Sequence, residues 1–312
     1  MQVILLFPGQ GSQKPGMGKD LAEAYPVARE VFAQVDAAVA EPLAELCFNG
    51  PADELTLTKN AQPALFAHGA AAWAVVRDLL LPHVVAAAGH SLGELTAYHA
   101  ADAITLAGGA TLVRRRGEVM FDIGSKKPGT MAAILGALKQ PIDDICALAT
   151  RQAGLVVPAN YNTAEQTVVS GEIPGVERAM ELAKDAGAKR AMRLAVSGAF
   201  HSPLMQPAEL AFSGAINRAD FTDPIFPVYS NVTEEPSTDA ATARALLLRQ
   251  LTSPVRWMGE VRAMAARYPD ALYVELGPGN VLSGLVSRIV PGAKTVACGM
   301  PAEVDALSRM IA

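Results

Sequence analysis

The stretch Val84-Val85-Ala86-Ala87-Ala88-Gly89-His90-Ser91-Leu92-Gly93-Glu94-Leu95 passes from a short apolar run, through a serine flanked by two glycines, into a helical pattern. A buried strand that runs through G-x-S-x-G into a helix is the sequence of a nucleophile elbow. Gly89 and Gly93 remove Cβ atoms where strand and helix crowd together. Ser91 can then take a strained backbone conformation with its hydroxyl projecting from the sheet. The helix that follows aims its first N–H groups at the serine, which favours an oxyanion there. The alternative is a chance glycine turn, and the flanking strand and helix weigh against it.

Other short apolar runs also alternate with helical stretches. Val3 to Phe7 reads as a first strand, Asp20 to Val39 as a helix, and Leu272 to Leu276 as a strand ending in Gly277-Pro278-Gly279. This alternation predicts an α/β domain around a mostly parallel sheet. One segment has a different rhythm. Strand Thr130 to Leu135, helix Pro141 to Gln152, strand Val156 to Asn160, strand Gln166 to Ser170, helix Pro174 to Ala186 and strand Arg190 to Val196 follow in the order βαββαβ. That order suits a small antiparallel, ferredoxin-like unit. Gly124-Ser125-Lys126-Lys127-Pro128-Gly129 before it has the composition of a linker.

Size and composition exclude several classes. A chain of 312 residues can bury a large core. Although 51% of it is hydrophobic, no uninterrupted apolar run approaches the roughly 20 residues of a membrane span. The N-terminus shows no basic leader. Cys47, Cys146 and Cys298 are odd in number and far apart, which fits reduced cysteines in a cytoplasmic protein and neither a disulfide framework nor a metal cluster. The formal net charge is −5, so nucleic-acid binding has little support.

A serine hydroxyl needs a base, and the chain has five histidines. His68 and His83 lie on or beside helices. His99 is two turns beyond Ser91, and His90 adjoins the serine at a sharp corner where neighbours diverge. His201 remains, placed just before Ser202 and Pro203, an N-cap and first-turn pair that fixes a helix start. Taken alone, it reads equally as a base or as a surface residue. The loop Phe7-Pro8-Gly9-Gln10-Gly11-Ser12-Gln13 matches neither a phosphate loop nor a dinucleotide fingerprint. It is either a plain turn or a source of a second oxyanion donor, from Gln10 beside the N–H of Leu92. Arg116 shares a helical face with Val113, Gly117 and Met120. A guanidinium there needs an anion, either an internal Asp or Glu or a substrate carboxylate.

Together GQGSQ near the N-terminus, GHSLGE at 89–94, RRRG at 114–117, GAFHSPLM at 198–205 and QLTSPVRW at 250–257 resemble the malonyl-CoA:acyl-carrier-protein transacylases, over essentially the whole chain. The resemblance implies a hydrolase-like large α/β domain of residues 1–125 and 199–312, with a small ferredoxin-like subdomain, 126–198, inserted. It implies Ser91 as acylated nucleophile, His201 as its partner without a triad acid, and the N–H groups of Gln10 and Leu92 as oxyanion hole. Arg116 would hold the malonyl carboxylate, Gln250 would orient His201, Asn162 would lie near the acyl-CoA, and Phe200 would crowd an α-methyl branch. Leu95 and His99 depart from the family's usual residues in the elbow helix. The expected partners are malonyl-CoA and an acidic acyl carrier protein of fatty-acid, polyketide or malonate decarboxylase systems, with Arg115, Lys126, Lys127, Lys189 and Arg190 as docking candidates. A monomer that needs no cofactor, metal or membrane is expected. The competing readings are a serine hydrolase on the same core and a non-catalytic carrier-docking subunit.

Overall fold

The structure, a computed structural model, describes residues 1–311. Strands are numbered here in chain order. A six-stranded sheet runs β10 (Lys294–Cys298), β9 (Leu272–Leu276), β1 (Val3–Phe7), β2 (Val84–Gly89), β7 (Val228–Tyr229), β8 (Pro236–Ser237). All neighbours are parallel except β7 and β8. Every residue of β1 is buried because both faces of the sheet are covered. Val3, Leu5 and Phe7 point into one apolar cluster, whereas Ile4 and Leu6 point into the other, beside Trp257 and Val261.

A second sheet, β4 (Val156–Thr163), β5 (Gln166–Gly171), β3 (Thr130–Leu135), β6 (Arg190–Arg193), is antiparallel throughout. Its order is that of a ferredoxin-like βαββαβ unit. One face packs on the helices Ile142–Ala153 and Ile173–Asp185 through Ile134, Ile145, Val169 and Val176. The other turns Met131 and Val168 toward the large sheet. The small sheet is tied to the segment around Val255, which packs beside Ile4 and Leu6 of β1, where the Tyr161 N–H donates to the Val255 carbonyl at 2.9 Å and the Val255 N–H to the Ala159 carbonyl at 2.8 Å.

The expected elements are present with local corrections. The helix predicted from Asp20 to Val39 is two, Lys19–Ala24 and Pro26–Val39. Pro26 drives Tyr25 out of the helical region, to φ −124° and ψ 114°. The predicted linker begins inside a helix, since Leu106–Lys126 contains Gly124, Ser125 and Lys126. Gly124 is needed for close approach, because a Cβ there would overlap the Ser197 carbonyl. Strand β6 stops at Arg193, short of the predicted Val196, although the Leu194 N–H still reaches the Met131 carbonyl at 2.9 Å.

The helix Thr58–Leu80 belongs to the core. It lies in a stretch, Thr58–His83, long and apolar enough to cross a membrane by mean hydropathy, 1.4, yet 67% of that window is buried inside the fold. In the large sheet the register pairs Phe7 with Gly89 and Ala87 with Val228. The loops after β1, β2 and β7 therefore leave together at the carboxyl edge, where open α/β sheets gather their sites.

Candidate active site

Ser91 sits at the tip of the turn between β2 and the helix Gly93–Ala100, with a left-handed φ of 54°. That conformation costs a non-glycine residue about 1–2 kcal/mol, so its surroundings must impose it. A Cβ on Gly89 would overlap the backbone of Gly93 and Glu94, and one on Gly93 would overlap the Phe7 carbonyl. The Ser91 N–H donates to Asn231 Oδ1 at 2.7 Å, which clamps the turn from the β7 side.

His201 also has a left-handed φ, 57°. It is buried, and Ser202 behind it caps the turn that begins at Pro203. Its Nδ1 lies 2.8 Å from the Gln250 carbonyl and 3.2 Å from the Ser253 carbonyl. Carbonyls only accept, so Nδ1 carries the proton and Nε2 presents its lone pair. That lone pair is 2.8 Å from Ser91 Oγ, the geometry of a general base taking a hydroxyl proton. Burial, and then the field of Arg116, push the imidazole pKa down to about 3. The imidazole is therefore neutral across the physiological range. Among the described residues no carboxylate touches Nδ1; two backbone carbonyls orient the ring in its place.

Arg116 lies on the helix Leu106–Lys126 and is 1% exposed. It donates to Gln62 Oε1 at 2.7 Å, to Gln250 Oε1 at 2.8 Å and to Ser91 Oγ at 3.2 Å. Among the described residues its Nε has no partner. Among the described residues it forms no ion pair, in contrast to the neighbouring Arg114, which pairs with Glu41 and Glu118. Among the described residues no Asp or Glu bonds to it directly; Glu94 acts on it only from behind Gln250, which leaves the direct place for an anion open. Burial lowers its pKa to about 10, which leaves it charged at neutral pH.

These groups open onto a cavity of about 270 Å³ lined by Gln10, His90, Ser91, Leu92, Arg116, Asn162, Phe200 and His201, with Met131, Val168, Leu194 and Val196 from the small-sheet side. The Gln10 side chain donates to Thr58 Oγ1 at 3.2 Å. Among the described residues the Gln10 and Leu92 backbone N–H groups have no protein partner, as oxyanion donors require. The Ser91 N–H, by contrast, is taken by Asn231. Gln250 does not line the cavity. It contributes its carbonyl to His201 and its side-chain oxygen to Arg116.

Two features escaped the sequence reading. His90, set aside there, forms part of the wall, with Nε2 2.9 Å from Asn162 Oδ1. Behind the serine lie two buried carboxylates. Glu94 Oε2 accepts from Gln250 Nε2 at 2.6 Å, and Glu260 Oε1 accepts from Asn231 Nδ2 at 2.9 Å. Glu94 stands inside the quoted GHSLGE motif. Asn231 and Glu260 carry no local signal at all. His68 and His99 instead bond to the Gly299 and Ile104 carbonyls and belong to the packing.

Residues 4–297 match the family model described as "Acyl transferase domain". The malonyl CoA-acyl carrier protein transacylase of Bacillus subtilis (strain 168) is 42% identical over 309 residues, covering 97% of this chain and 95% of its own. Among solved structures, the acyl-carrier-protein-S-malonyltransferase from Bartonella henselae superposes with a TM-score of 0.94 at 41% identity, covering 100% and 99% of the two chains. A malonyl-transacylase in complex with its type II PKS acyl-carrier protein gives a TM-score of 0.94 at 36% identity, covering 99% and 100%.

Proposed function

The chain belongs to the acyl transferase domain family, and from that premise we propose that it moves a malonyl group from malonyl-CoA to the phosphopantetheine thiol of an acyl carrier protein of fatty-acid or polyketide synthesis, through an ester on Ser91. The observation that carries the substrate is the buried guanidinium of Arg116, 3.2 Å from Ser91 Oγ and, among the described residues, with no carboxylate bonded to it directly. A malonyl thioester supplies that carboxylate two bonds from the carbonyl that Oγ must attack. Acetyl-CoA leaves the charge unanswered.

In the first half-reaction His201 Nε2 takes the Ser91 proton while Oγ adds to the thioester carbonyl, whose oxygen is met by the Gln10 and Leu92 N–H groups. The C–S bond then breaks, and the imidazolium returns its proton to the departing CoA sulfur. In the second half-reaction the carrier thiol gives its proton to His201 and attacks the malonyl ester. The C–O bond breaks and Oγ regains its proton. Atoms and charge balance without an oxidant or Lewis acid, so the chemistry calls for no cofactor. Two backbone carbonyls suffice to hold the base, because the imidazolium exists only in passing and needs no permanent counter-ion.

The reading extends to a monomer of the cytoplasm, with residues 126–198 as the inserted subdomain. The three cysteines, all buried and unpaired, fit a reducing compartment.

The test mixes the protein with malonyl-CoA in the presence and absence of a phosphopantetheinylated carrier. Rapid malonyl transfer with the carrier, and only slow malonate release without it, is the expected result. Malonate release that keeps pace with thioester loss in the absence of a thiol would make the protein a hydrolase.

A further inference from the structure

Gln250 Nε2 is surrounded by acceptors alone: Glu94 Oε2 at 2.6 Å, the Ser91 carbonyl at 3.0 Å and Asn231 Oδ1 at 3.1 Å. The amide therefore has one orientation, with Oε1 facing Arg116. A chain of two hydrogen bonds thus joins a buried carboxylate to the guanidinium that would meet the substrate, with one neutral amide between them. The geometry points to a role for Glu94 that no catalytic step assigns it: Glu94, acting through Gln250, is a positioning residue whose charge state sets how strongly Arg116 holds a substrate carboxylate, and so the preference for malonyl over uncharged acyl groups.

The groups facing Glu94 support this. Arg116 approaches from the helix Leu106–Lys126, the Asn231 N–H donates to Glu94 Oε2 at 3.2 Å, and Ser230 lies beside it. Tyr98 on its own helix and Glu260 on the helix Trp257–Arg267 complete the shell. Among the described residues Glu94 Oε1 is buried without a partner. Burial outweighs the donors and Arg116, and lifts the Glu94 carboxyl to about 7. Below that pH the carboxyl is neutral and Arg116 has no buried anion behind it. Above it, an ionised Glu94 offsets part of the guanidinium's field and repels a substrate carboxylate. Linkage gives the same sign in reverse, since a bound malonyl carboxylate favours the protonated form of Glu94.

The inference rests on the proposed malonyl specificity, and one experiment separates the two. The ratio of kcat/KM for malonyl-CoA to that for acetyl-CoA is measured across pH in the wild type and in Glu94→Gln. Both acyl groups share the serine, the histidine and the pantetheine arm, so their pH dependence cancels in the ratio. Partial misfolding cancels too, and any residual activity suffices. The wild-type ratio is expected to fall about fivefold between about pH 6 and about pH 8.5, and that of Glu94→Gln to stay flat near the acid value. A wild-type ratio that favours malonyl but does not change with pH, or an equal fall in both proteins, overturns the role of Glu94 alone. No preference for malonyl at any pH overturns the substrate assignment with it.

Discussion

At Arg116 a full charge is held almost out of reach of water by two neutral glutamine oxygens and a hydroxyl, which is costly unless a ligand completes the site. Removing it should therefore act on the acyl group rather than on the chemistry. Arg116→Ala is expected to lower kcat/KM for malonyl-CoA by about 100-fold or more, the scale of a buried charge pair that loses one partner. The loss for acetyl-CoA should stay within about tenfold, as befits an uncharged group. Steady-state kinetics with both thioesters decide it, and equal losses would remove Arg116 from the carboxylate role. Residues differed in how much the sequence disclosed about them. Ser91 was visible because an elbow is a local device, built within the span Gly89 to Gly93. Elimination left His201 open between base and surface residue, and only the resemblance carried by GAFHSPLM assigned it, because nothing in its neighbourhood says that folding will bring it to 2.8 Å from Ser91 Oγ. Glu94 stood in plain view, but its meaning depends on Gln250 and Asn231, which lie far along the chain.

Among the elements, the strand-to-helix turn combines a left-handed Ser91 with two glycines that admit no Cβ. Gly93 packs directly on the end of β1, so a methyl group there must push the helix Gly93–Ala100 away from the sheet. Gly93→Ala is expected to cost about 3 kcal/mol of stability, the upper range for overpacking, and to slow acylation of Ser91 as well. Urea denaturation followed by fluorescence, with a parallel acylation assay, reads both effects; a midpoint and rate equal to wild type would contradict the packing described. The strands from β1 to β6 and β9, and the helices between them that the periodicity marked, were legible because apolar periodicity is a local signal; β7, β8 and β10, short or at the sheet edge, were not read from it. The exceptions have local physical reasons. Pro26 broke one predicted helix. Gly124, which reads as linker, is a contact glycine within a helix, chosen by the backbone of Ser197 rather than by its own neighbours.

On the scale of the whole molecule, the mostly parallel sheet and the turn after β2 present Ser91, the loops at its carboxyl edge present the N–H groups of Gln10 and Leu92, the segment between β6 and the helix Gln206–Arg218 brings in His201, and the antiparallel sheet supplies the opposite wall. The order of that second sheet was predictable from its βαββαβ rhythm. Its docking against the first was not, because it depends on side chains from both sheets and on the pairing of β4 with the segment around Val255. Two left-handed residues, Ser91 and His201, far apart in sequence, are brought face to face by this assembly and make the central claim, a covalent acyl-enzyme on Ser91, open to direct inspection. Intact mass spectrometry after mixing with malonyl-CoA, without carrier, should show wild type gaining the mass of one malonyl group, with peptide mapping placing it on Ser91. Ser91→Ala should gain nothing. A malonyl adduct of the same yield on Ser91→Ala, or on any residue other than Ser91 in the wild type, would contradict the account.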